Sequence, residues 1–189
     1  ILSAFLYVFA IIMAVVLIIA LYTFNFKDGG GSLFGINSLD VKNQSYTIEG
    51  KTFTLKNGTF TEGNRSVRIF GEPVYGDLNK DGKKDAAILL VSNPSKDGAF
   101  YYSVLAVSNG NKHTTTNVML LGYEIAPQTV EIREGRAVYN YAERRTDEPM
   151  TAQPSVAKSV WIHYNAETNE IGEFVKNFEG ESNLPKNNQ

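Results

Sequence analysis

The chain has 189 residues, 43% of them hydrophobic, with 18 basic and 20 acidic side chains and a net charge of −2. That balance offers no electrostatic case for nucleic acid or an anionic surface. With no cysteine, disulfides, thiol catalysis and Cys-ligated zinc are excluded.

The apolar residues are unevenly distributed. Residues 1–22 carry no charge, and Ser3 is the one clearly polar side chain before Tyr22. At about 1.5 Å rise per residue, such a run makes a helix of ~33 Å, enough for a hydrocarbon core of ~30 Å. Lipid offers the backbone no hydrogen-bond partners, so the segment must be helical. Tyr22, Phe24 and Phe26 follow, and Lys27 is the first charge. Aromatic residues followed by a lysine mark a membrane exit. Residues 1–26 are therefore predicted to be a single transmembrane anchor. The run exceeds the apolar stretch of a cleaved signal peptide, and no small-residue cleavage pattern follows it. A pilin-type N-terminus is the alternative, because the chain begins with Ile1. Type IV pilins carry Glu at the fifth mature position, where this chain has Phe5.

Residues 27–43 are predicted to be a flexible linker, since Gly29, Gly30, Gly31 and Ser32 restrict the backbone little. Residues 44–178 then form the folded domain, expected to be extracytoplasmic and mainly β, with antiparallel sheets and room for a short helix. Residues 46–49 and 52–55 read as a hairpin with its turn at Gly50-Lys51, and Asn57-Gly58 as a second turn. Residues 67–75 read as a strand broken at Gly71 and Pro73. Residues 86–91 are an unbroken apolar run, the signature of a strand buried on both faces. Further strands are predicted at 100–107, 117–121, 129–134, 136–141, 158–164 and 171–175. Residues 143–157 hold Arg144, Arg145, Asp147, Glu148, Pro149 and Pro154 and are predicted to be a long loop. Residues 179–189 are polar and asparagine-rich, the composition of a disordered tail. Triplets at Asn43, Asn57 and Asn64 match glycosylation acceptors but read as polar turns.

The sharpest local feature is Gly76-Asp77-Leu78-Asn79-Lys80-Asp81-Gly82-Lys83-Lys84-Asp85. Oxygen side chains stand at relative positions 1, 3, 5 and 9. Calcium takes about 6–8 oxygen ligands, and a tight loop aims alternate side chains inward. Gly82 allows the sharp turn after the fifth position. Asp77, Asn79, Asp81 and Asp85 are the candidate side-chain ligands, and the Lys83 carbonyl completes the set. A solvated polar turn is the competing reading. The loop resembles those of EF-hands and dockerins, and most closely the FG-GAP/VCBS calcium loops, which also lead directly into a strand. The resemblance covers ten residues and implies a bound Ca2+ in a β-to-β loop. It departs from the EF-hand at position 12, where Ile88 replaces Glu. The domain also resembles uncharacterised bacterial lipoprotein domains, around residues 125–128 and 140–144, which implies an envelope location and no particular activity.

No catalytic constellation is expected. His113 and His163 have no metal-ligand spacing, and Ser103 and Ser159 lack a nucleophile elbow. The aromatic residues Phe100, Tyr101, Tyr102, Tyr139, Tyr141, Trp161 and Tyr164 read as core and cross-strand pairs rather than a glycan platform. The leading expectation is thus a membrane-anchored extracytoplasmic β domain with a binding or structural role, its protein or glycan ligand unidentified, stabilised by one calcium ion. An envelope enzyme or inhibitor using the 143–157 loop, and a pilin-like filament subunit, are the alternatives.

Overall fold

A computed structural model describes residues 13–17, 39–95, 98–109 and 112–175. Residues 13–17 are helical. Met13, Val15, Val16 and Leu17 are between 49% and 61% exposed. Among the described residues, no helix is long and apolar enough to cross a membrane. The rest of the predicted anchor, most of the linker and the 179–189 tail lie outside the described residues.

The second unit begins at Leu39. It opens with a short 3-10 turn, Val41–Asn43. Val41, placed in the linker by its sequence context, is 1% exposed and part of the core. Tyr46 explains why: its hydroxyl donates to the Val41 carbonyl at 2.6 Å and pins the entering chain.

Thirteen strands follow among the described residues, and every pairing is antiparallel. β1 (Ser45–Ile48) and β2 (Lys51–Thr54) make a hairpin. Its turn, Glu49-Gly50, has φ of 50° and 76°, the paired positive values that match strand twist. The central sheet holds β3 (Thr59–Glu62), β4 (Arg65–Ile69), β5 (Val74–Gly76), β6 (Asp85–Asn93), β7 (Phe100–Asn109), β8 (Lys112–Thr115) and β9 (Met119–Tyr123). β4 and β5 lie end to end along one edge of β6. They are the strand expected to break at Gly71 and Pro73. β8 and β9 share the far edge of β7 in the same way. A four-stranded meander completes the domain: β10 (Ala126–Arg133), β11 (Arg136–Glu143), β12 (Val156–Asn165) and β13 (Glu170–Glu173).

Side-chain alternation divides the core into two layers. Ala86, Ile88 and Leu90 of β6 and Tyr102, Val104 and Ala106 of β7 face the β1–β2 hairpin, with Tyr46, Ile48, Phe53 and Leu55. Ala87, Leu89, Leu105 and Val107 face the meander, with Ala137, Tyr139, Tyr141, Val160 and Ile162. β6 is covered on both sides, which is why residues 86–91 carry no polar alternation. At roughly 25 cal/mol per Å2 of apolar surface, this continuous burial is the main stabilising contribution in the domain. Tyr139 crosses the second layer, and its hydroxyl donates to Ile88 O at 3.0 Å and Val104 O at 3.3 Å. Tyr141 donates to Leu121 O at 3.0 Å. The buried tyrosines are thus satisfied core residues. Residues 144–155 connect β11 to β12 without strand structure, close to the loop expected there.

Candidate metal centre

The loop between β5 and β6 is held at both ends. Gly76 lies against β10, where an added Cβ would stand 2.9 Å from Ile132 Cδ1. Leu78 is 5% exposed and enters the core layer under the meander. Asp85 then begins β6 with no exposed surface.

Between these anchors, the oxygen side chains fold onto the loop's own backbone. Asp77 Oδ1 accepts Lys80 N at 2.6 Å and Asp81 N at 3.2 Å, and Oδ2 accepts Gly82 N at 2.9 Å. Asn79 Oδ1 accepts Asp81 N at 3.0 Å. Asp81 Oδ1 accepts Lys83 N at 2.9 Å, and its Oδ2 lies 3.9 Å from Lys83 Nζ. Lys80 and Gly82 adopt φ of 64° and 80°, and glycine meets that second value without Cβ strain. Desolvation pushes the Asp77 carboxyl up, but N–H donors from Gly82, Lys80, Asp81 and Asn79 outweigh it and hold the group below the usual aspartate range.

Asp85 stands apart from this arc. Its Oδ2 accepts Leu78 N at 2.8 Å and its Oδ1 accepts Ser108 N at 2.9 Å. Burial pushes its carboxyl up, the two N–H donors pull it back, and the charges of Asp81 and Asp77 add to the rise. Among the described residues, no group of three or more Asp, Glu or His side chains is placed to hold a metal ion.

The loop's side chains are oxygen donors, the ligand type a hard cation takes. A carboxylate offers about four lone-pair sites. Asp77 directs its sites to the N–H groups of Lys80, Asp81, Gly82 and Asn79, and Asp81 commits one to Lys83 N. Asp77, Asn79 and Asp81, with the Lys83 carbonyl, would hold the ion. Sequence spacing places Asp85 with them, and its two oxygens receive one donor from the loop, Leu78 N, and one from β7, Ser108 N. Ser108, its partner across the sheet, carries no sequence signal, being 23 residues away.

The other sequence candidates are dispersed. His163 is exposed on β12, and Gly172 backs its ring, with His163 Cε1 3.1 Å from where a Cβ would stand. His113 lies on β8 beside Ser108 Oγ, at 3.2 Å. Glu143 at the end of β11 pairs with Lys158 on β12 at 3.2 Å, and in the loop between them Glu148 pairs with Arg145 at 3.6 Å. Arg144 ties that loop down by donating to Ala152 O at 2.5 Å and Glu124 O at 2.7 Å. A largely apolar cleft of about 280 Å3 lies elsewhere, where the β4–β5 break meets the β10 bulge, and no residue of 143–157 lines it.

Compared with known proteins, the chain matches no family model, no curated protein and no solved structure.

Proposed function

We propose that this chain is a membrane-anchored extracytoplasmic domain with a binding or structural role, and that one calcium ion stabilises its β5–β6 loop. The observation that carries the anchoring is the uncharged run of residues 1–22. Its described part is helical with exposed apolar side chains. A helix that is apolar on all sides is at home in lipid rather than water. The absence of cysteine and the antiparallel β architecture suit a bacterial envelope.

Asp77, Asn79, Asp81 and the Lys83 carbonyl support the calcium part. The ion would supply charge and a rigid oxygen cage, neutralising Asp77 and Asp81 and fixing the strand entry. Extracellular calcium modules bind at about 10⁻⁴–10⁻³ M. At about 10 mM calcium, ten to a hundred times that constant, linkage gives roughly 1.4–2.7 kcal/mol of stabilisation. For a domain of this size, that corresponds to a melting-temperature rise of roughly 4–12 °C.

Two measurements on the full chain in detergent micelles and membranes test the proposal. Calcium should raise Tm by that amount, magnesium should raise it less, and Asp81→Ala should abolish the rise. An unchanged Tm at 10 mM calcium would remove the ion. Alkaline extraction should leave the chain in the membrane fraction, and protease added from outside the cell should digest the domain. Release by alkali, or protection from that protease, would overturn the anchored topology.

A further inference from the structure

One buried carboxylate holds two segments that are distant in sequence. Asp85 receives Leu78 N from the β5–β6 loop on Oδ2 and Ser108 N from the end of β7 on Oδ1, at 2.8 and 2.9 Å. Ser108 returns the contact, since its hydroxyl donates to Lys84 O at 2.7 Å and lies 3.2 Å from His113 Nδ1 on β8. The start of β6 and the β7–β8 corner are therefore cross-bonded by adjacent residues, with Asp85 fully buried and Ser108 only 5% exposed.

A carboxylate out of water is tolerable only while hydrogen-bond donors replace its hydration. Asp85 has two backbone donors, one from each segment. When the loop swings away, Leu78 N leaves and the remaining charge is under-solvated. When the corner opens, Ser108 N leaves with the same result. Losing either donor weakens the reason for the other to stay, because bonds sharing one buried acceptor are energetically coupled.

We infer that Asp85 is a latch, through which the β5–β6 loop and the β7–β8 corner at Ser108 and His113 order and open as one unit. Asp85 acts by positioning both segments and not as a ligand. A cation held by Asp77, Asn79 and Asp81 is then felt at Ser108. That last consequence rests on the calcium reading, whereas the latch does not.

Amide hydrogen exchange on the full chain in micelles, without calcium, tests it. Ser108→Ala removes the hydroxyl's bond to Lys84 O at the loop's end and its contact with His113, and leaves the side-chain acceptors Asp77, Asn79, Asp81 and Asp85 intact. Protection at Leu78 and Gly82 should still fall, by about tenfold or more, in step with the amide of residue 108. Loss confined to the corner, with Leu78 and Gly82 at wild-type rates, would overturn the latch. Asp85→Asn keeps one acceptor and should lower protection at Leu78 and Ser108 together. If that variant fails to fold, Ser108→Ala decides alone. Calcium added to the wild type should raise protection at Lys80 and Gly82 and also at Ser108. A rise limited to the loop refutes the latch. No rise anywhere refutes the ion and leaves the latch to the calcium-free result.

Discussion

Removing the hydroxyl of Tyr139 is the cleanest probe of the layered core. The side chain is 1% exposed, and its hydroxyl reaches from the meander to Ile88 O and Val104 O. Those two residues are register partners in β6 and β7, so the bonds join the meander to the middle of the central sheet. Tyr139→Phe keeps the ring and opens almost no cavity. The loss is one buried donor, with two carbonyls each deprived of a partner. A net hydrogen bond contributes about 0.5–1.5 kcal/mol, and an unsatisfied buried group costs about 1–3 kcal/mol. The carbonyls sit within a strand ladder that continues to engage the backbone, so the lower part of that range applies, about 1–2 kcal/mol. Urea denaturation of the full chain in micelles should show a lower midpoint at unchanged m-value, with Tm falling by roughly 3–8 °C. Tyr164→Phe is the control. Its half-buried hydroxyl donates to Asn169 Oδ1 at 3.1 Å, and its loss should cost under about 0.5 kcal/mol. Equal effects from the two variants, or a stabilised Tyr139→Phe, would refute the idea that the meander is fastened to the sheet through this hydroxyl.

Three further outcomes follow from the geometry. Asp77 is held below the usual aspartate range, so its contribution is present above its unfolded pKa and is lost as pH falls through the lower folded value. The Lys80 and Gly82 amide shifts should therefore titrate with a midpoint below about 3.9, and a midpoint above that would contradict the N–H cage. Gly76→Ala places a methyl 2.9 Å from Ile132 Cδ1 and should destabilise by about 1–3 kcal/mol. Adding Ile132→Val removes Cδ1 and should restore part of that loss, and failure of the pair to couple in a double-mutant cycle would reject the contact. Arg144→Ala frees two carbonyls of the β11–β12 loop and its neighbour. Limited proteolysis should then cut within residues 144–155 faster than in the wild type, while unchanged cleavage would show that the arginine does not restrain the loop.

The fold was legible where physics acts locally. The Glu49-Gly50, Asn57-Gly58 and Glu134-Gly135 turns all have paired positive φ; a glycine marks each, though the first lies one residue before the Gly50-Lys51 turn expected, because Lys51 already pairs with Ile48. The buried run of β6 was legible because both faces have one chemistry. β3 and β8 were not. β3 is Thr59-Phe60-Thr61-Glu62 with one half-buried residue, too little apolar contrast to stand out. β8, Lys112–Thr115, is polar and gains its place from pairing with β7. Such strands are specified by their neighbours. Val41, inside the 27–43 stretch, is buried for a related reason: its place is set by the Tyr46 hydroxyl, five residues on, and by no apolar pattern of its own.

The candidate site divides along the same line. Oxygen side chains at alternate positions before a strand are a local signal, and Asp77, Asn79 and Asp81 do converge on one short loop. Yet the pattern serves two chemistries. The lone pairs that coordinate a hard cation also accept N–H groups from a tight turn, and spacing is the same for both. What separates them is direction. Asp77 and Asp81 turn toward their own loop, while Asp85 turns inward to Ser108, a partner chosen by sheet register and not by sequence distance. Spacing alone therefore does not distinguish an oxygen side chain that accepts from its own loop from one that accepts across the sheet. The two can be separated experimentally: under the proposed calcium reading, mutating Asp77, Asn79 or Asp81 changes calcium affinity. A supporting residue changes the stability of the β7–β8 corner even when no calcium is present.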